Sequence, residues 1–124
     1  RFRHRVLVEG YAPAVARAQA NLEALGLSLE AHAEDVGTWV PEGLGAAGDL
    51  ILLDPPRAGL DEALTQRLQG AGAERLVLIG CDGAPFCRDL QRLAPAWKVK
   101  DLHALDLFPR TVHAEFMALL ERAP

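Results

Sequence analysis

Apolar residues fall along the chain in three short unbroken runs and three helically spaced sets, and the two patterns alternate. Arg5–Glu9 (Arg-Val-Leu-Val-Glu), Asp49–Asp54 (Asp-Leu-Ile-Leu-Leu-Asp) and Arg75–Gly80 (Arg-Leu-Val-Leu-Ile-Gly) are the runs. Aliphatic stretches of that length without alternation predict strands buried on both faces, as in a parallel sheet. Pro55 and Pro56 follow Asp54 at once and cannot donate ladder hydrogen bonds, so the second strand ends there. Val15, Ala18, Leu22 and Leu25 recur at helical spacing, with Pro13 in the first turn and Gly26 as the stop. Leu60, Leu64 and Leu68 mark a second helix, which Gly70 and Gly72 end. A third runs from about Pro85 to Leu93, with Phe86, Leu90 and Leu93 inward.

The remaining stretches are weaker. Leu27–Ala31 reads as a short strand with a loop, His32–Asp35, behind it, and Val36–Gly48 has room for at most one short helix. Trp97–Leu105 reads as a looser strand, and Val112–Glu121 alternates with a period of two. Only Asp106–Thr111 separates those last two strands, too little for a parallel crossover, so they should pair antiparallel. The alternation predicts an α/β fold: a mostly parallel sheet with helices on both faces and one antiparallel partner at its edge.

Composition narrows the class. A chain of 124 residues, half of them apolar, is large enough for one domain with its own core. It has no apolar run of membrane-spanning length and no signal-peptide pattern. Two cysteines fit free thiols in a reducing cytoplasm. A formal charge of −4 argues against this stretch being an independent nucleic-acid binder. The chain opens Arg1-Phe2-Arg3-His4 without methionine and enters a strand almost at once, so it is expected to be a piece of a longer protein.

The candidate chemistry collects at one sheet edge. Glu9, Asp54 and Cys81 each end a predicted parallel strand, and the reversed last strand brings His113 and Glu115 to the same edge. Ligands of open α/β sheets bind beyond the strands' carboxyl ends. Glu9 there is either an acceptor for ribose hydroxyls or an acid beside a helix start. Asp54 is either a turn cap or a site carboxylate. Cys81 is either an inert small hydrophobe or a nucleophile, and a helix beginning near Ala84 favours its thiolate. The strand–Cys–loop–helix order with Arg88 is similar to a phosphatase cradle, but the Cys-x5-Arg count fails by one. Cys87 is expected to pack inside the third helix, and its separation from Cys81 is no metal-ligand spacing. His32, Glu34 and Asp35 read as solvated loop residues, with ligand contact the less common alternative.

Asp54-Pro55-Pro56-Arg57-Ala58-Gly59-Leu60, Gly80-Cys81-Asp82, Arg88-Asp89-Leu90 and Asp106-Leu107-Phe108-Pro109-Arg110-Thr111-Val112-His113-Ala114-Glu115 resemble the uracil-5 RNA methyltransferases in order and spacing. Val8-Glu9-Gly10, followed by Ala16, Ala20 and Asn21, extends the likeness over nearly the whole chain. The resemblance implies the C-terminal part of a Rossmann-like class I methyltransferase domain, residues 1–124, lacking its first strand–loop–helix. It implies S-adenosylmethionine as methyl donor and a uridine of tRNA or rRNA as target. Cys81 would add to carbon 6 of the uracil and Glu115 would take the carbon-5 proton. Glu9 would bind the cofactor's ribose, and Asp54 would lie beside both cofactor and base. His32 falls where the family usually has Asp or Asn near the adenine, and Gly83 where it usually has proline. An RNA-binding region and, in some members, iron–sulfur cysteines would precede Arg1. Amino-methylating enzymes also use Asp-Pro-Pro but favour an aromatic residue where this chain has Arg57. A non-catalytic truncated domain is the other alternative.

Overall fold

The triplet Val6-Leu7-Val8 forms β1 (Val6–Val8), the first element of the computed structural model, which describes residues 3–39 and 44–124. The chain divides into two units, one up to position 40 and one from position 41. The first continues through α1 (Ala12–Ala24) to β2 (Glu30–His32), which pairs parallel with β1 in the register Val6↔Glu30 to Val8↔His32. Pro13 lies in the first turn of α1, where a missing N–H costs nothing. Gly26 ends the helix at φ 67°. Its N–H donates to Glu23 O and that of Leu27 to Leu22 O, which satisfies two of the last carbonyls. Val15 is buried, whereas Leu25 is 71% exposed because the helix has already closed at Ala24 and Leu25 serves as its cap.

The second unit holds β3 (Leu50–Leu53), α2 (Glu62–Gln69), β4 (Arg75–Gly80), α3 (Gly83–Leu93), β5 (Trp97–Leu105) and β6 (Glu115–Arg122). The strand order is β3-β4-β6-β5; β3 runs parallel to β4, and β6 runs antiparallel to both neighbours. The antiparallel strand is therefore interior, not at the edge, and β5 closes the sheet instead. Leu68, Leu76, Leu78, Leu93, Trp97 and Leu120 form the sealed core, each contributing about 1.5–3 kcal/mol by leaving water. The Trp97 indole N–H donates to Leu68 O at 3.0 Å, so its polar atom is satisfied inside that core.

Burial of the strands on both faces is not what the second unit shows. Leu76 and Leu78 are sealed under the helices, but Val77 and Ile79, which alternate with them, are half-buried, and Leu52, in register with Val77, is 64% exposed. The helices of this unit bury one sheet face, and the other carries a stripe of aliphatic side chains. Val112 is likewise 97% exposed, because β6 begins only at Glu115. Cys87 is exposed rather than packed, since α3 turns Phe86, Asp89 and Leu93 inward. The short helix allowed over Val36–Gly48 falls partly on positions 40–43, outside the described residues; the described flanks form turns.

Candidate functional site

Within the first unit, Glu9 and His32 stand side by side where the paired strands β1 and β2 end. Glu9 N–H donates to His32 O at 3.1 Å, one step beyond the Val8↔His32 pair. Glu9 Oε1 accepts the Tyr11 N–H at 2.7 Å, which fixes the half-buried carboxylate at the entrance of α1. His32, expected in the loop, is instead the last residue of β2. Its Nε2 lies 2.9 Å from Glu30 Oε1, its Nδ1 3.7 Å from Glu34, and its ring centroid 5.5 Å from that of Trp39. His4 reaches the other Glu30 oxygen at 2.9 Å. The His32 hydrogen bond holds the Glu30 carboxyl below its usual range; partial desolvation opposes this, and His4 adds to the lowering. Asp35 is occupied with its own turn, accepting the Gly37 N–H at 2.8 Å.

Within the second unit, register brings Asp54, Cys81 and Glu115 to one end of the sheet. Leu53 pairs with Leu78, so Asp54 leaves β3 level with Ile79. Gly80 pairs with Phe116, so Cys81, one residue past β4, comes level with Glu115, the first residue of β6. Cys81 and Glu115 are half-buried and Asp54 is exposed. His113 precedes the strand on an exposed loop, its ring edge-on to Phe108 at 6.5 Å.

Several local features hold this end in shape. Asp82 caps α3 through Ala84 N–H at 3.1 Å, so the helix begins two residues after Cys81. Gly80 lets the Phe86 ring lie against the backbone; a Cβ there would come within 2.7 Å of it. Phe86 in turn stacks on Phe116 at 5.5 Å, tying α3 to β6. A hollow opens beside Cys81, walled by Pro56 and Arg57 from the turn after β3, by Gly80, and by Phe86 and Asp89 from α3. Asp54 and Glu115 do not line it.

Asp89 is the residue whose importance the hydrophobic pattern concealed. Only 1% exposed, it sits where helical spacing led us to expect Leu90, which is half-buried instead. Its carboxylate accepts the Leu60 N–H at 2.7 Å and the Arg88 guanidinium at 2.8 and 3.1 Å. The nearest signal in the sequence was the Arg88-Asp89-Leu90 triplet. Trp39 against His32 was not foreseen at all.

Residues 46–123 match the family model described as tRNA (Uracil-5-)-methyltransferase. A Bifidobacterium longum protein described as an uncharacterized RNA methyltransferase is 40% identical over 93% of this chain and 27% of its own length. The 23S rRNA (uracil(1939)-C(5))-methyltransferase of Hahella chejuensis is 38% identical over 97% of this chain and 28% of its own length. Among solved structures, the Pyrococcus abyssi tRNA (uracil-54, C5)-methyltransferase in complex with S-adenosyl-L-homocysteine superposes with a TM-score of 0.82 at 28% identity. That match covers 94% of this chain and 28% of the other. The chain thus spans roughly a quarter of the length of these relatives, and its fold is that of class I methyltransferases. With the match covering well over half of its residues, the chain belongs to the tRNA (uracil-5-)-methyltransferase family.

Proposed function

We propose that the protein containing this chain methylates carbon 5 of a uridine in tRNA or rRNA, in the cytoplasm, and that both units are parts of one catalytic domain. The observation that carries the reading is the register placing Cys81 level with Glu115: a nucleophile and a base at one strand end. Carbon 5 of uracil is a weak nucleophile. Addition of the Cys81 thiolate to carbon 6 forms a C–S bond and moves an electron pair towards carbon 5, which can then accept a methyl group. Glu115 removes the carbon-5 proton afterwards; the electrons of that C–H bond restore the double bond, the C–S bond breaks and the thiolate returns. Asp54, held at the start of the proline turn, would lie beside the reacting base and the methyl donor.

The acceptors in the first unit fit S-adenosylmethionine. With one Glu9 oxygen held by Tyr11 N–H, the carboxylate is oriented to accept from the two hydroxyls of a ribose. His32, held by Glu30 and Trp39, would border the adenine. The cofactor, when bound, supplies the methyl group as a methylsulfonium. The RNA must present its uridine out of the stack or in a loop for the thiol to reach carbon 6.

The test is a covalent trap on the intact protein with S-adenosylmethionine and RNA containing 5-fluorouridine. Fluorine cannot leave as a proton does, so the enzyme should remain joined to the base, giving a denaturation-resistant adduct by intact mass. Cys81→Ala should abolish it. Glu115→Gln should lower turnover by about 10²–10⁴-fold while adduct accumulates on ordinary uridine RNA. Methylation that persists in Cys81→Ala would replace this reading with amino-methylation.

A further inference from the structure

We infer that Arg88 and Asp89 are positioning residues for the addition step: together they latch the Pro56–Gly59 turn against α3, so that it walls the hollow beside Cys81 in one fixed shape. The inference rests on the assignment of Cys81 as nucleophile.

The latch is made of two hydrogen bonds, on the residues either side of Gly59. Arg88 Nη2 donates to Ala58 O at 2.7 Å. Asp89 Oδ2 accepts from Leu60 N–H at 2.7 Å. Between them Gly59 stands at φ 78°, where a Cβ would run into the Asp89 carboxylate and the Arg88 guanidinium. Gly59 is thus a glycine for two reasons: its backbone is left-handed, and the latch occupies the space a side chain would need. The turn itself closes through Gly59 N–H to Pro56 O at 2.8 Å, so holding residues 58–60 also holds Pro56 and Arg57.

The two residues divide the work. Oδ1 of Asp89 takes both Arg88 bonds and Oδ2 takes the turn, so the carboxylate links the helix's own arginine to the loop. A guanidinium can reach Ala58 O and Asp89 at once because its donors are spread in a rigid fork; an ammonium offers one point of charge. Packing alone does not call for this arrangement. A leucine at position 89 would satisfy the buried face of α3 but would leave the Leu60 N–H without its partner.

Cys87 supplies an internal reference for the test. It lies on the same helix, is exposed, and faces away from the hollow that Cys81 lines. Iodoacetamide labelling of the intact, substrate-free protein, resolved by peptide mass, therefore compares a thiol behind the turn with one outside it. Arg88→Ala, Asp89→Asn and Gly59→Ala should each raise the Cys81/Cys87 labelling ratio by roughly threefold or more, through local opening of the turn. Arg88→Lys should fall between Arg88→Ala and wild type. In the 5-fluorouridine assay the same variants should slow adduct formation by about 10²-fold, the order expected when a reacting pair is misplaced by an ångström. KM for RNA should stay within about twofold, since the chemical step and not binding is affected. Combining Gly59→Ala with Asp89→Asn should add little to either alone, because both release the same turn.

Labelling of both cysteines rising together, with rates falling only as the folded fraction falls, would show a structural role and overturn the inference. An unchanged ratio and adduct rate in Arg88→Ala and Gly59→Ala would overturn it as well. Should Asp89→Asn not fold, those two variants carry the test, because the Arg88 side chain is 40% exposed. If wild type forms no adduct yet the ratio shifts in the variants, the turn is latched to α3 but the positioning role falls together with the uracil reading. If wild type forms the adduct and the variants match it, the latch falls and the uracil reading stands.

Discussion

The two units hold their candidate residues by different means. In the second, Asp54, Cys81 and Glu115 stand on a four-stranded sheet whose core seals five leucines and Trp97. Both of its helices start with an aspartate whose side chain accepts a backbone N–H, Asp61 for α2 and Asp82 for α3. In the first, Val15 is the buried hydrophobic residue among those described, the strands are three residues long, and α1 starts at Tyr11 without a side-chain cap. Glu9 and His32 are fixed there by short polar contacts instead: Glu9 N–H to His32 O, Tyr11 N–H to Glu9, and His32 to Glu30. The proposed covalent chemistry thus sits on a packed platform. The proposed cofactor contacts sit on a thin layer held by hydrogen bonds. A nucleophile and base must keep one geometry through bond making and breaking, whereas a ribose diol tolerates a more yielding acceptor.

The largest effect should separate the units directly. Leu78→Ala empties a sealed position in β4 and should cost about 2–5 kcal/mol. Val15→Ala removes two methyl groups from α1 and should cost roughly 1.5 kcal/mol. Native-state hydrogen exchange on the intact protein should show the β4 and β6 amides protected far longer than those of β1 and β2. Equal protection, or a Val15 cost matching that of Leu78, would break the comparison.

The same contrast explains what could be read in advance. Arg75–Gly80 was legible to the residue because an unbroken aliphatic run acts locally, and the looser strand Trp97–Leu105 was read with the same bounds as β5. The antiparallel pairing of β5 with β6 followed from loop length alone. Insertion of β6 between β4 and β5 did not, since strand order depends on which faces the helices cover. Leu25, Leu52 and Val112 were misjudged for a related reason: periodicity ranks residues by hydrophobicity but does not say which face meets a neighbour. Asp54, Cys81 and Glu115 were legible as strand-end residues. Asp89 was not, because a buried carboxylate is declared only by its partners, Leu60 N–H and Arg88, and the former lies 29 positions away.

A smaller change sharpens the packed side of the comparison. Gly83 is the first residue of α3, at a position where proline's missing N–H and fixed φ are tolerated. Asp82 before it is already extended, at φ −139° and ψ 123°, as a residue preceding proline must be. A Cβ at Gly83 would meet the Phe116 ring at 3.4 Å, an ordinary contact. Gly83→Pro should therefore stabilise the second unit by about 0.4–1 kcal/mol, mainly by restricting the unfolded chain. A chemical denaturation midpoint that rises without a change in slope would confirm it. A fall would mean that the loop carrying Cys81 depends on glycine's freedom after all.

The smallest effect tests whether the polar fastening of the first unit behaves as an ion-pair cluster. Glu30 is exposed and faces His4 and His32, with Glu34 on the far side of the His32 ring. Because its carboxyl is held below the usual range in the folded chain, its contribution is fully present above the unfolded value. That contribution fades as the pH falls through the lowered, folded one. Glu30→Gln should thus lower the thermal midpoint slightly near neutrality, and the difference from wild type should vanish in acid. Added salt should shrink it too, as for any solvated pair. Lys100 on β5 and Glu121 on β6, exposed and 3.2 Å apart in the second unit, give the control. Removing that pair should matter no more, since packing and not surface charge holds its strands. A Glu30 effect that grows on acidification would reverse the sign argued here and place the fixing of His32 on the Trp39 contact instead.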